Sequence, residues 1–218
     1  MDPDAAEIRV LGCLIEKQRT TPDVYPLTLN SLRLACNQST NRDPVVDYDE
    51  GTVRAAVDRL IARRWATLAS WANRRTMKYR QTFDRELGLA PDELAVLAVL
   101  MLRGPQTHGE LRTRTERLHR FESVDELDAT LARLVESERV ARHARRPGQR
   151  EERWTQLLGG GGEEPEEAPP SPAPLAAAPV EPPPAPEADG LAERVEALER
   201  EVADLRAGLR TLRDELGA

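Results

Sequence analysis

Apolar residues recur at helical spacing three times in the first third of the chain. The first stretch predicts a helix that Thr20-Thr21-Pro22 ends, and its apolar face is Ile8, Leu11, Leu14 and Ile15. A shorter helix after Pro26 carries Leu29, Leu32 and Cys36. Asp49 fits the cap of a third helix, whose apolar stripe is Val53, Ala56, Val57, Leu60 and Ile61. Two strands, 65–72 and 77–83, then flank a turn at Asn73-Arg74-Arg75.

The same order repeats in the second half of the globular region. Pro91 stands at a helix start, and Thr107 with Glu110 matches the S/T-x-x-E capping box, as does Ser123 with Glu126. An offset of 74 residues superposes two apolar stripes, Val53, Val57, Leu60 and Ile61 on Leu127, Leu131, Leu134 and Val135. A second hairpin over 140–156 turns at Pro147-Gly148. Two units of three helices and a hairpin are typical of tandem winged-helix domains, here 4–88 and 89–158.

The remaining residues have a different composition. Residues 159–190 are mostly Gly, Pro, Glu and Ala, which predicts a disordered linker. A heptad pattern over 191–216 then predicts a two-stranded parallel coiled coil, and hence a homodimer, through Leu191, Val195, Leu198, Val202, Leu205, Leu209, Leu212 and Leu216. The alternatives are a lone helix that folds back on the body or one that frays. The predicted class is therefore mainly α with small β-hairpin wings (α+β), followed by a linker and a coiled coil.

Charge is distributed unevenly along the chain. The formal net charge is -7, yet residues 1–89 hold 14 Lys/Arg against 12 Asp/Glu, and residues 159–218 hold 5 against 14. Binding to nucleic acid would therefore rest on local patches. The first residues form no basic and apolar leader, and no apolar run approaches the length of a membrane span, so we expect a cytoplasmic protein. Cys13 and Cys36 lie on apolar stripes, where thiols act as small core residues.

Several long strings resemble one bacterial family. In the first unit they are Leu14-Ile15-Glu16-Lys17, Thr20-Thr21-Pro22-Asp23, Tyr25-Pro26-Leu27 and the run from Ala35 to Val45. Later ones are Asn73-Arg74 with Lys78-Tyr79, and the runs 102–107, 109–112 and 147–151. Over nearly all of residues 6–158 the chain thus resembles the YceH family. The resemblance implies a tandem winged-helix fold with a C-terminal coiled-coil helix and says little about activity. At His108 relatives usually have proline.

The candidate DNA contacts lie on the third helix and the hairpins. Winged helices place the third helix in the major groove and touch phosphate with the wing. The third helix of the first unit offers Arg54 and Arg59 outward, whereas that of the second offers Asp125, Glu126 and Asp128, which suit DNA badly. The hairpins carry the cations Arg74, Arg75, Lys78, Arg80, Arg145, Arg146 and Arg150. These cations contact phosphate in one interpretation and remain solvated in the other.

The loop over 37–48 is too long for an ordinary helix-turn-helix. It gathers the polar side chains Asn37, Gln38, Asn41 and Arg42. Such side chains recognise a partner in one hypothesis and cap their own backbone in the other. The sequence leaves both open.

No catalytic, cofactor or metal motif stands out. The three histidines have no metal-ligand spacing with the cysteines, and there is no Gly-rich phosphate loop. Glu16 and Lys17 are expected to point apart on their helix. We therefore expect a DNA-binding protein without catalysis or cofactor, acting in transcriptional control. The alternative is an adaptor that holds a protein partner on tandem winged helices.

Overall fold

The computed structural model describes residues 2–69, 77–145 and 151–159. Within them the helices are α1 (Ala5–Thr20), α2 (Leu29–Cys36), α3 (Glu50–Ala62), α4 (Phe83–Leu87), α5 (Pro91–Arg103), α6 (His108–Thr115) and α7 (Val124–Glu136). The strands are β1 (Leu27–Thr28), β2 (Ala66–Leu68), β3 (Lys78–Gln81), β4 (Val140–His143) and β5 (Arg153–Gln156). The predicted linker, apart from its first residue Gly159, and the predicted coiled coil lie outside the described residues. The class is a mixture of helices and small antiparallel sheets, as expected of an α+β protein.

Side-chain caps start several of these helices. Asp49 accepts a hydrogen bond from the Thr52 backbone N–H at 2.7 Å and caps α3, as predicted. The Thr107 capping box forms in full at the start of α6. The second predicted box forms by half: Ser123 caps α7, but the Glu126 carboxylate accepts from the backbone N–H of Glu122 instead of that of Ser123. The capped starts therefore fall where the sequence placed them.

The first sheet has three strands in the order β1-β3-β2, all antiparallel. Leu27 pairs with Tyr79, and Thr67 pairs with Arg80. The predicted pairing of two strands is present in β2 and β3. The third strand was not predicted, because β1 is only two residues long and shows no alternating pattern. It was wrong to extend the second strand to Phe83, since that residue begins α4 and its side chain is buried in the core.

The second half repeats this topology with a shorter first strand. β4 and β5 are antiparallel, and Gln106 forms an isolated bridge to Trp154 through backbone hydrogen bonds of 3.0 and 2.8 Å. Gln106 precedes α6 as β1 precedes α2. Each half therefore presents a helix, a short bridge segment, two helices and a hairpin in the same order.

Helices α1 and α5 form the centre of the structure. α1 is buried from Glu7 to Ile15 and α5 from Glu93 to Leu102. Gly12 on α1 allows the two helices to approach closely, because a Cβ there would lie 2.9 Å from Leu102 Cγ and 3.1 Å from Met101 Cβ. The backbone N–H of Asp43 donates to the carbonyl of Leu102 at 2.9 Å. Close helix packing of this kind joins the two halves through a continuous apolar core.

The repeated stripes are buried at three of their four positions. Val53, Val57 and Leu60 are fully buried on α3, and Leu127, Leu131 and Leu134 are buried on α7. The fourth pair departs from the prediction, because Ile61 is only half-buried and Val135 is 42% exposed. Among the described residues, no helix is both long enough and apolar enough to cross a membrane.

Candidate functional site

The arginines of α3 are engaged within the protein. Arg54 pairs with Glu50 at 2.9 Å one turn away. Arg59 Nε lies 3.0 Å from Glu7 on α1, and its Nη2 reaches Asp4. Glu7 is buried, which alone would raise its pKa, but the Asp4 backbone N–H and the Arg59 and Arg63 guanidinium groups lower that pKa below its ordinary value. The pairs with Glu7 and Asp4 connect α3 to the start of α1, and together with the Arg54–Glu50 pair they leave the outward face of α3 with little positive charge for DNA.

The polar side chains of the 37–48 loop form hydrogen bonds with other groups of the protein. The Asn37 side chain forms two hydrogen bonds with the backbone of Tyr48: its Oδ1 accepts from the N–H at 2.9 Å, and its Nδ2 donates to the carbonyl at 2.8 Å. Gln38 Oε1 accepts from Lys17 and from Arg42, while Asn41 Oδ1 accepts from Arg103. These contacts favour the hypothesis that the loop side chains bond within the protein over the hypothesis that they recognise a partner.

Arg42 is the most buried of these residues. It is 6% exposed, and its guanidinium donates to the carbonyls of Ala35 and Asn41 and to both oxygens of Glu16, at 3.1 and 2.6 Å. A guanidinium so enclosed is inaccessible to a partner. Arg42 was therefore wrongly included among the predicted contacts: it is a structural cation that fixes the loop to α1.

Glu16 carries the negative charge of this cluster. Burial would raise the pKa of its carboxyl group, but hydrogen bonding and charge from Arg42, together with Lys17, hold that pKa below its ordinary value. Lys17 Nζ lies 3.1 Å from Glu16 Oε2. The expectation that Glu16 and Lys17 point apart was wrong, because the carboxylate lies between two cations.

The first hairpin presents cations on the outward face of its sheet. Tyr79 and Gln81 face the core, so the alternate positions Lys78 and Arg80 face away from it. Their cross-strand neighbours on β1 and β2 are Thr28 and Thr67, which carry no charge. Among the described residues neither cation has a salt bridge. Arg74 and Arg75 lie outside the described residues.

The second hairpin has less free positive charge. Arg145 is exposed, while Arg146 and Arg150 lie outside the described residues. Arg142 pairs with Glu152 across the strands, and Arg153 lies 3.5 Å from Glu110 of α6. Both described strand arginines are therefore paired with carboxylates, Arg142 with one from the hairpin and Arg153 with one from α6.

The outward side of α7 borders a groove of about 750 Å³. Its floor includes Leu131 and Trp154, and Val124 and Val135 stand at its ends, 45% and 42% exposed. Carboxylates edge it on both sides: Asp128 and Glu136 from α7, and Glu152 from the hairpin. An apolar floor with an acidic edge differs sharply from the cationic face of β3.

Trp154 lies at the centre of this groove between two basic side chains. The His108 ring meets it edge to face with centroids 6.1 Å apart, and the Arg142 guanidinium lies 5.8 Å from its ring centroid. His108 Nε2 comes 3.0 Å from Asp128 Oδ1 without forming a hydrogen bond. Sequence analysis missed this groove. Periodicity carried no signal for it, because Val135 continues the apolar stripe of α7 and its exposure depends on tertiary packing.

The two cysteines are core residues of the first half. Cys13 and Cys36 are fully buried free thiols, in agreement with a role in the core. Their mutual hydrogen bond and burial raise the pKa of Cys36, which keeps that thiol protonated. In the parts of the chain that the structure describes, no three His, Cys, Asp or Glu side chains are grouped to hold a metal ion.

The fold defines a small α+β protein built from a repeated order of helices and a hairpin. A family model described as "Protein of unknown function, DUF480" matches residues 4–149. A UPF0502 protein of Solibacter usitatus is 44% identical over 210 residues, or 96% of each chain. The UPF0502 protein YceH of Escherichia fergusonii is 42% identical over 220 residues, covering 98% of this chain and 97% of that one. A UPF0502 protein of Pelobacter propionicus is 52% identical over 156 residues, 71% of each.

This chain belongs to the DUF480 family, whose relatives named UPF0502 include YceH. The resemblance drawn from the sequence motifs is thereby confirmed. None of these names states an activity, a ligand or a partner.

Proposed function

We propose that the chain is a DNA-binding protein built on two tandem winged-helix domains, 4–88 and 89–158, that acts in transcriptional control without catalysis or cofactor. The repeated topology supports the fold part of this proposal. In each half a helix leads through a short strand or bridge to two more helices and a hairpin, which is the winged-helix order.

The observation that carries the DNA-binding proposal is the cationic face of β3. Lys78 and Arg80 project from the same side of the sheet, next to threonines and without a carboxylate partner in the described residues. Hydroxyl and cationic side chains are common donors to phosphate oxygens. Arg74 and Arg75 precede this strand in the sequence, so four cations fall within seven residues of the chain.

This surface suits the DNA backbone better than base edges. The outward positions of α3 include Thr52, Ala55 and Asp58, and none offers the amide or free guanidinium that reads purine edges. We therefore propose binding with weak sequence preference in each half-site. Pairing of chains through residues 191–216 would raise affinity, because the second contact becomes effectively intramolecular.

The test is fluorescence anisotropy of a labelled mixed-sequence duplex at low salt, titrated with the full chain and with a chain ending at Leu158. The shorter chain lacks the acidic C-terminal residues, which would compete with phosphate for the hairpin. Changing Lys78 and Arg80 together to Ala should weaken binding roughly tenfold or more, because two phosphate contacts are lost.

The matched control changes two exposed arginines of the second half, Arg112 and Arg120, to Ala. Their side chains have no salt bridge among the described residues and lie on a different surface. The control should leave affinity nearly unchanged. Equal losses from both double variants would show general charge attraction and would refute the hairpin as the contact surface.

An adaptor that holds a protein partner is the second candidate function. The observation that favours it is the groove beside α7, whose apolar floor offers no donor to phosphate and whose carboxylates would repel it. An apolar floor edged by carboxylates can bind a polypeptide that has both apolar and basic side chains. An adaptor without DNA binding would show no salt-dependent signal in the anisotropy experiment, which separates the two candidates.

A further inference from the structure

We propose that the groove between α7 and the β4–β5 hairpin is a docking site for a basic amphipathic helix of another protein. This inference deepens the adaptor candidate and uses none of the residues that carry the DNA-binding proposal. It rests on the spacing of the apolar side chains and on the charge around them.

The apolar positions of α7 suit a helix as the occupant. Val124 and Val135 are eleven residues apart, which is about 16 Å along the axis, and the two side chains share one face. Leu131 lies between them on the groove floor. A helix laid along α7 with apolar residues at i, i+4, i+7 and i+11 would cover this length.

Trp154 forms part of the groove floor, where a small part of the residue, 9%, remains exposed. Its ring is held between His108 and Arg142, so its orientation is fixed before any partner arrives. The indole N–H donates no hydrogen bond to any described residue and remains available to a partner. A fixed aromatic with a free polar tip is typical of the centre of protein interfaces.

The charge around the groove selects a basic partner. Asp128, Glu136 and Glu152 edge it, and Arg142 is paired with Glu152. Glu136 has no ion-pair partner among the described residues, so its charge is free to meet a Lys or Arg of the occupant. Charge complementarity of this kind mainly sets specificity and the rate of association.

The same charge argues against the chain's own C-terminal segment. Residues 191–216 have a leucine stripe, but they hold seven Asp/Glu against five Lys/Arg. Two acidic surfaces brought together would repel, so the heptad segment is a poor occupant. A partner with the opposite charge is the better match.

The experiment uses the full chain and two fluorescent peptides of about four helical turns. One has leucines at i, i+4, i+7 and i+11 with Lys and Ala elsewhere, and the other replaces each Lys by Glu. The basic peptide should bind more tightly than the acidic one by at least about tenfold. Changing Val124 and Val135 together to Ser should raise its Kd roughly tenfold, because two half-exposed valines lose their apolar contact.

Two controls make the result specific to the groove. Val45→Ser, at a 58% exposed position in the 37–48 loop, should leave the Kd unchanged. The Lys78 and Arg80 double variant should also leave the Kd of the basic peptide unchanged. A failure of the DNA-binding proposal can then be distinguished from a failure of the groove proposal. No binding of the basic peptide, equal binding of both peptides, or equal effects of the Val45 and groove variants would overturn the inference.

Discussion

Replacing Glu16 by Gln tests whether the 37–48 loop is held from inside. The Arg42 side chain is fully buried, and both carboxylate oxygens of Glu16 accept hydrogen bonds from its guanidinium group. Gln keeps the shape but removes the charge, so Arg42 would stay buried without its counterion. Breaking a buried pair from one side costs about 3–5 kcal/mol. We expect Glu16→Gln to lower the free energy of unfolding by about 3 kcal/mol, the lower end of this range, because Gln retains one acceptor oxygen.

The assay is urea unfolding followed by circular dichroism and tryptophan fluorescence at neutral and acidic pH. The pKa of Glu16 is lowered in the folded state, so its stabilising contribution is full above the unfolded value of about 4.3 and is lost as pH falls through the lower folded pKa. The difference between the unchanged chain and Glu16→Gln should therefore be largest near neutral pH and shrink below about pH 4.

Glu50→Gln is the matched control. Glu50 also accepts from an arginine, but both partners are exposed on α3, and such pairs contribute about 0.3–0.5 kcal/mol. If Glu16→Gln costs no more than Glu50→Gln, the buried pair does not hold the loop and the internal interpretation of Arg42 fails. An unchanged difference down to pH 3 would refute the pKa argument alone.

Three further outcomes follow from the packing, a buried phenol and the heptad pattern. Gly12→Ala should lower the free energy of unfolding by about 1–2 kcal/mol, because the added Cβ would overlap α5. The control Gly51→Ala should be neutral or slightly stabilising, and urea unfolding measures both variants. Tyr25→Phe should cost about 1–3 kcal/mol by leaving the Gln81 backbone N–H unpaired, and ultraviolet titration should find the Tyr25 pKa, raised by burial, at about 12. Removal of 191–216 should convert a dimer to a monomer in sedimentation velocity, and a monomeric full chain would contradict the heptad interpretation.

Helix positions were predictable because they depend on local signals. Asp49 and Thr107 are caps that act within three residues, and the apolar period identifies the inward face of α3. β1 has only two residues and owes its pairing to Tyr79, far along the chain. No local pattern encodes such a strand, and so the third strand was missed.

The burial and hydrogen-bond partners of polar side chains were less predictable, because they depend on residues far apart in the sequence. Arg42 meets Glu16 from 26 residues away, and one sequence contains no sign of that pairing. Val135 continues the apolar stripe of α7, yet the helices packed behind it cover only part of that stripe. Periodicity shows which residues share a face, while tertiary packing decides how much of the face is buried.

The most direct test of the DNA-binding proposal is the salt dependence of duplex binding by the chain ending at Leu158. Contacts to about six phosphates predict a slope near -5 in a plot of log affinity against log salt concentration. Changing Lys78 and Arg80 to Ala should make that slope shallower by about 2, since two phosphate contacts are removed. Absence of binding at low salt, or an unchanged slope in the double variant, would contradict the proposal.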